Sequence, residues 1–387
     1  MANLECRHFT GYKPCSRNAV CSSECPVKQK AFPRILVIHL EALGAVLRAT
    51  VILRAIMRKW PDAHVTWITN SAAAPILEQN PFIHRLLKND HGGVLALSTL
   101  SFDYAFSIDK SHIASGLLRV PKSVAESRGF GVDSKTGGII PLNTEANLLF
   151  ELGLSNHEKF FVNKKPESQL IVESLDLEFN GDEYVFEFSD EEKHFNWKLQ
   201  KTRSFNGPVI GLNTGCSPTI PYKKLTVRGW IKLIDVLLKD FPNAQVLLLG
   251  GSEDTERNNE ISSMRPQVEK TPTDRGLRMG FQYMNLCDVV VTGDSLGMHM
   301  AIALKKWVVA WFGPTCSHEI DFYDRGKAVL TSAPCSPCWK RSCDKRPMCY
   351  DLVDWSQISL EVERGLKSVE KEKVFAAIAR KLPDLVL

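Results

Sequence analysis

Residues 289–304 read Val-Val-Val-Thr-Gly-Asp-Ser-Leu-Gly-Met-His-Met-Ala-Ile-Ala-Leu. An apolar strand that stops at Gly293, Asp294 and Ser295 and restarts as a helix leaves backbone N–H groups aimed at the turn. That is an anion site of the kind a phosphate fills. Asp294 or Ser295 can cap the new helix, and Gly297 between Leu296 and Met298 lets a ligand approach the backbone. His299 lies within the first helical turns, in reach of the same phosphate. The same residues also suit an ordinary strand–turn–helix joint with a packed histidine, and alone they do not separate the two.

Three further loops carry the same signature. Asn213-Thr214-Gly215-Cys216-Ser217-Pro218 is followed by Lys223 and Lys224, Gly250-Gly251-Ser252-Glu253-Asp254 ends another apolar run, and Gly313-Pro314-Thr315 a third. Small residues after a strand, with lysines nearby, suit a diphosphate: amides and a helix dipole orient it, and a lysine supplies charge. One such loop needs only a tight turn, but four in one half of the chain point to a common ligand. Glu319 and Asp321 follow closely enough to hydrogen-bond sugar or ribose hydroxyls, solvated carboxylates being the plainer reading.

The eleven cysteines are clustered. Cys335, Cys338, Cys343 and Cys349 form one group, Cys6, Cys15, Cys21 and Cys25 a second, and Cys216, Cys287 and Cys316 stand alone. In a reducing compartment, grouped thiols argue for a metal before disulfides. Four thiolates complete a tetrahedral shell, so a structural zinc or iron is expected on 335–349, while the N-terminal group either holds an ion of its own or docks beside that cluster. Free thiols or a redox CxxC are the alternative, but Cys335-Ser-Pro-Cys338 lacks the strand–helix context of a thioredoxin-like motif.

These residues need a scaffold, and the pattern supplies an α/β one. Residues 34–40, 64–69 and 102–108 read as buried strands, with helical spacing over 45–59 and 71–79. Residues 155–207 are more polar, and then strands at 209–213, 245–251, 288–292 and 307–312 alternate with a helix at 228–240 and another beyond it. Strand–helix alternation gives parallel sheets whose C-terminal ends bind ligands. The expected division is a cysteine-rich arm 1–31, a first domain 32–180, a linker 181–206, a second domain 207–360 carrying the cysteine segment, and a C-terminal helix 361–387. Arg128-Gly129-Phe130-Gly131 reads as a surface turn, with an acceptor-side role as the sharper alternative, and His39 as a satisfied core histidine.

The 387 residues are 44% hydrophobic and 24% charged, with a net charge of +4. So slight an excess gives no case for nucleic-acid binding. No apolar run is long enough to span a bilayer, and the N-terminus lacks a signal-peptide core, so a cytoplasmic protein is expected. Peripheral work at a membrane surface and homo-oligomers are compatible with this.

Gly211-Leu-Asn-Thr-Gly215 with Lys223, Thr292-Gly-Asp-Ser-Leu-Gly-Met-His299, and Phe312-Gly-Pro-Thr315 with Glu319-Ile320 resemble the family 9 glycosyltransferases, which include the lipopolysaccharide heptosyltransferases. Residues 34–53 and 63–69 carry the likeness into the first half. The resemblance implies a GT-B architecture: two Rossmann-like domains with parallel sheets facing a central cleft, acceptor site in the first and nucleotide-sugar site in the second. It implies that Lys223 contacts the phosphates or the charge forming on the leaving group. Asp294 and the amides near Ser295–Met298 would hold sugar and diphosphate, with His299 lining the site. It further implies an ADP-heptose-type donor, inversion at the anomeric carbon, no catalytic metal, and a lipopolysaccharide core sugar or a protein serine or threonine as acceptor. The autotransporter branch, which glycosylates protein hydroxyls, has an iron-binding version of the second cysteine segment.

One position departs from the family. Where it places the aspartate base, in a Leu-Gly-Asp pattern, this chain has Leu43-Gly44-Ala45, and a methyl cannot accept a proton. Ala45 is an engineered inactivation, or the protein is a natural non-catalytic nucleotide-sugar binder or assembly protein stapled by metal, or another carboxylate, Glu41 or Asp109, substitutes. The intact donor-side residues favour the first. A UDP-sugar enzyme of related fold, such as an epimerase, is a further rival.

Overall fold

The computed structural model describes residues 5–9, 11–202 and 207–381, with side chains to residue 372. The first residues of the cysteine arm, residues 203–206 of the expected linker and residues 382–387 of the expected C-terminal helix lie outside the described residues. The chain divides into two compact units, Met1–Glu187 and Phe188–Leu387.

Unit 1 runs β1 (Arg34–Ile38), α1 (Leu43–Ala49), α2 (Val51–Lys59), β2 (His64–Thr69), α3 (Ala74–Leu77), β3 (Arg85–Lys88), α4 (His91–Ser98), β4 (Ser101–Ser107), α5 (His112–Leu117), β5 (Ser123–Val132), β6 (Ile139–Pro141), α6 (Asn147–Leu152) and α7 (Glu167–Ser174). Its sheet has the order β3-β2-β1-β4-β5-β6, parallel except for β6. β2 is buried along its whole length and β1 along all but Arg34, the near-continuous burial of a parallel sheet covered on both faces. Chain order reverses between β1 and β4, so the ligand-binding edge is the crevice past Ile38 and Ser107.

The helix expected over 45–59 is two helices broken at Thr50. The Thr50 hydroxyl donates back to Leu47 O at 2.6 Å and accepts the Val185 amide at 2.9 Å, so one buried side chain both bends the helix and secures a distant strand of chain. The surface turn expected at Arg128–Gly131 is instead the end of β5, with Arg128 buried against Glu126 and Asp176. Two glycines hide the strand's alternation, and Gly129 is needed there: a Cβ would meet Ser107 O at 2.1 Å, and its φ is +93°.

Unit 2 runs α8 (Asp190–Thr202), β7 (Val209–Asn213), α9 (Val227–Asp240), β8 (Gln245–Leu249), α10 (Thr255–Met264), β9 (Glu269–Lys270), α11 (Leu277–Asn285), β10 (Val289–Gly293), α12 (Leu296–Ala303), β11 (Trp307–Phe312), β12 (Gly326–Leu330) and α13 (Trp355–Lys381). Its sheet has the order β12-β11-β10-β7-β8-β9 and is parallel throughout, with the reversal between β7 and β10. α9 buries Trp230, Leu233, Ile234 and Leu237, a stripe at helical spacing, into a core with Val289, Val291 and Trp311. α8 is a helix within the polar stretch read as the linker, and Arg278 of α11 grips its Glu192 with two nitrogens, at 2.7 and 2.5 Å. No helix among the described residues is long and apolar enough to cross a membrane.

Replacing Thr50 by Ala removes the acceptor of a buried amide, at a cost of about 1–3 kcal/mol. Hydrogen exchange followed by mass spectrometry is expected to show faster exchange around Val185 in that variant.

Candidate functional site

At the reversal point of unit 2, Asn213 ends β7 directly opposite Thr292 of β10. Its side-chain nitrogen reaches Thr292 Oγ1 at 3.1 Å, Ser295 Oγ at 3.0 Å and Gly215 O at 3.2 Å, with the residue 8% exposed. One carboxamide thus sews together two of the loops noted in the sequence. Gly297, expected to admit a ligand, makes room for this carboxamide: a Cβ there would lie 2.3 Å from Asn213 Cγ. Ser295 is the N-terminal flanking residue of α12, yet no side chain caps the helix, because the serine hydroxyl is engaged by Asn213 and Asp294 faces Lys223. The expected side-chain cap is therefore absent; the Met298 amide turns back to Ser295 O at 3.1 Å, and the Leu296 and Gly297 amides keep their capacity for an external anion.

Lys223 Nζ lies 3.5 Å from Asp294 Oδ2, both side chains roughly one-sixth exposed (17% and 18%). Gly293 makes the approach possible, since a Cβ would collide with Lys223 O at 1.9 Å. The pair is long and reached by solvent, so an incoming phosphate can compete for the ammonium. Trp311 Nε1 and Thr315 Oγ1, on the neighbouring strand and its following loop, are buried with no hydrogen-bond partner among the described residues. His299, the fourth residue of α12, is 5% exposed. Glu319 is half-buried in a short turn beyond Thr315.

The loop at Gly250 joins the same edge through residues that the sequence pattern did not single out. Asp254 accepts the Gly251 amide at 3.0 Å and pairs with Arg257 at 2.5 Å, and Arg257 donates to Thr214 O at 3.3 Å. Thr214 donates to Asn258 at 2.6 Å. A Cβ at Gly215 or Gly250 would strike the Asp254 side chain. The only sequence signal for Arg257 and Asn258 was a polar first turn after a glycine loop.

At the reversal point of unit 1, Ala45 is half-buried in the first turn of α1, its amide donating to Ala42 O at 2.7 Å. Ala42 holds φ +55°, a left-handed conformation that costs a non-glycine residue about 1–2 kcal/mol. Past the ends of β1 and β4, His39 Nδ1 lies 2.5 Å from Asp109 Oδ1, and Asp109 Oδ2 accepts the Leu40 amide at 2.5 Å. A carboxylate can only accept, so Nδ1 donates. His39 Nε2 is buried and has no hydrogen-bond partner among the described residues, an omission worth about 1–3 kcal/mol. The expected satisfied histidine is thus satisfied at one nitrogen only. Glu41 is exposed and takes a 3.1 Å hydrogen bond from Asn70.

The cysteines are all free thiols. Cys335, Cys338, Cys343 and Cys349 line one cavity of about 400 Å³. Burial pushes the Cys349 thiol up to about 11, and the neighbouring Cys338, Cys335 and Cys343 add to the rise. Cys6, Cys15, Cys21 and Cys25 line a space of about 10 Å³, where Asn18 donates to Cys25 Sγ at 3.3 Å. Each foursome shares one space, as a thiophilic ion requires, but among the described residues no three donors converge to metal-binding geometry. Cys216 and Cys287 are buried, and burial raises both thiols, Cys287 to about 12.

The sequence model of Glycosyltransferase family 9 (heptosyltransferase) matches residues 161–348, the stretch that carries all four glycine loops. Lipopolysaccharide heptosyltransferase 1 of Campylobacter coli is 22% identical over 348 residues, covering 84% of this chain and 96% of that protein. The chain is a glycosyltransferase related to family 9. The structure of the family 9 glycosyl transferase from Veillonella parvula shares the fold at a TM-score of 0.66 and 16% identity, over 88% of this chain and 99% of that one. The iron-containing dodecameric glycosyltransferase TibC from enterotoxigenic E. coli does so at 0.55 and 12% identity, over 89% and 78%, and has also been solved with ADP-D-beta-D-heptose. Two Rossmann-like units with parallel sheets are the GT-B building blocks of these glycosyltransferases.

A methyl group at Gly297 is expected to expel the Asn213 carboxamide. The Gly297→Ala variant should lose about 1–3 kcal/mol, the usual range for overpacking, read as a lower midpoint of thermal unfolding.

Proposed function

We propose that this glycosyltransferase moves a heptose from an ADP-heptose-type donor to a hydroxyl, with inversion. The observation that supports it is the Lys223–Asp294 pair beside the uncapped start of α12. An ammonium and a helix N-terminus together match a diphosphate, and the negative charge that grows on ADP as the sugar leaves is what they stabilise. Asp294 is then released to accept sugar hydroxyls, while Asn213, Thr214, Gly215 and the Asp254–Arg257 pair keep the loops in place. The TibC complex with an ADP-heptose gives the sugar nucleotide to try first.

Lys223→Ala removes a charge-assisted bond worth about 1.5–3 kcal/mol. Calorimetric titration with ADP-heptose is expected to show at least about tenfold weaker binding in that variant. UDP-glucose should bind the parent protein more weakly than ADP-heptose; equal or tighter binding of the UDP-sugar overturns the donor assignment.

The acceptor is a protein serine or threonine or a lipopolysaccharide core sugar, met at unit 1 in the cytoplasm. The two cysteine foursomes are assigned structural zinc or iron, one ion each, supported by their thiol composition and by the iron of TibC. Four thiolates leave no open position for chemistry. Elemental analysis of protein purified without added metal is expected to find about two ions per chain, falling to one when Cys338 and Cys343 are both replaced by Ser. An assembly of several copies, as in dodecameric TibC, is part of the same reading and is checked by light scattering.

A further inference from the structure

Asp109 is the carboxylate that the crevice of unit 1 presents. It lies two residues past β4, beside His39 and Leu40 just past β1, at the point where strand order reverses and open α/β sheets bind ligands. Both its oxygens are fixed, Oδ1 by His39 Nδ1 and Oδ2 by the Leu40 amide, each at 2.5 Å. Its side chain is 13% exposed against 6% for His39, so the carboxylate is the end that solvent reaches and the imidazole is the support behind it. Two donors leave further lone pairs on the carboxylate for a third partner. The support is costly for structure alone, because His39 Nε2 is buried with nothing to bond among the described residues. Glu41, the other carboxylate near this edge, is exposed and held only by Asn70.

We propose that Asp109 is the general base for the acceptor hydroxyl, taking the place of the aspartate absent at position 45, and that His39 is its positioning residue. The inference rests on the heptosyl-transfer reading above. The acceptor O–H bond breaks with its proton passing to Asp109. The acceptor oxygen bonds the anomeric carbon, and the bond from that carbon to the β-phosphate oxygen breaks with its electron pair leaving on ADP. Asp109 then returns the proton to solvent. Ala45 requires no repair in this scheme: the chain is an active enzyme with its base in the loop after β4.

The test uses the full-length protein and ADP-heptose, with water as the acceptor, reading ADP release for kcat and KM and calorimetry for donor binding. Asp109→Asn is expected to lower kcat by about 100-fold or more, within the range for removal of a general base, with donor affinity unchanged within about twofold. Asp109→Glu restores part of the rate. His39→Asn keeps an N–H toward Asp109 and is expected to retain a kcat at least about tenfold above His39→Leu at the same KM, a split that a purely structural histidine would not give. Should Asp109→Asn fold poorly, the two His39 variants decide the matter. Undiminished turnover in Asp109→Asn, or donor binding by the parent protein without turnover, overturns the assignment of Asp109 and leaves the donor reading standing. Failure of the parent protein to bind ADP-heptose at all overturns both.

Discussion

The Asn213 carboxamide is the contact on which the loop edge of unit 2 depends. Parallel strands end with unpaired backbone groups, and the loops after β7 and β10 have no ladder to hold them. Asn213 replaces that ladder with three acceptors taken from both loops: Thr292, Ser295 and Gly215. Because it occupies Ser295, the helix α12 begins without a side-chain cap, and because it fills the space over Gly297, that glycine cannot be anything larger. A buried amide nitrogen shared among three acceptors in this way holds the loops at the start of α12 rigidly.

The two units solve the same problem with different chemistry. Each reverses strand order at its centre, and each places a side-chain bridge across the reversal. In unit 2 the bridge is neutral and leaves amides open. In unit 1 it is a carboxylate held by an imidazole and an amide, flanked by a left-handed Ala42. A neutral bridge suits an anion; a carboxylate suits a hydroxyl proton.

Much of this was legible in the sequence where one residue type permits only one thing. Valine-rich runs ending in Gly-Asp-Ser mark a buried strand and its turn, and the four glycine loops do lie at strand ends of one sheet. The resemblance to family 9 rested on those loops, and the matched span contains them. What was not legible depended on partners distant in the chain. Thr50, at the break between α1 and α2, accepts the Val185 amide, and Gly297 makes room for Asn213, 84 positions earlier. Arg128 looked like a turn because glycines interrupt the alternation of β5. His39 sat among apolar neighbours, and nothing in the spacing paired it with Asp109.

The segment that carries the second cysteine group is built into the loop before it. Ser336 donates to Gly313 O, the Cys338 and Trp339 amides donate to Pro314 O at 3.0 and 2.8 Å, and a Cβ on Gly313 would touch Cys349 Sγ at 2.9 Å. Loop and segment therefore form a single inheritable module. A chimera that takes Gly313–Thr315 from a relative without also taking residues 331–349 would leave carbonyls bare and thiols misfitted. Recombination within this family should accordingly find its crossover points outside residues 313–349, however permissive the polar surface of the segment looks.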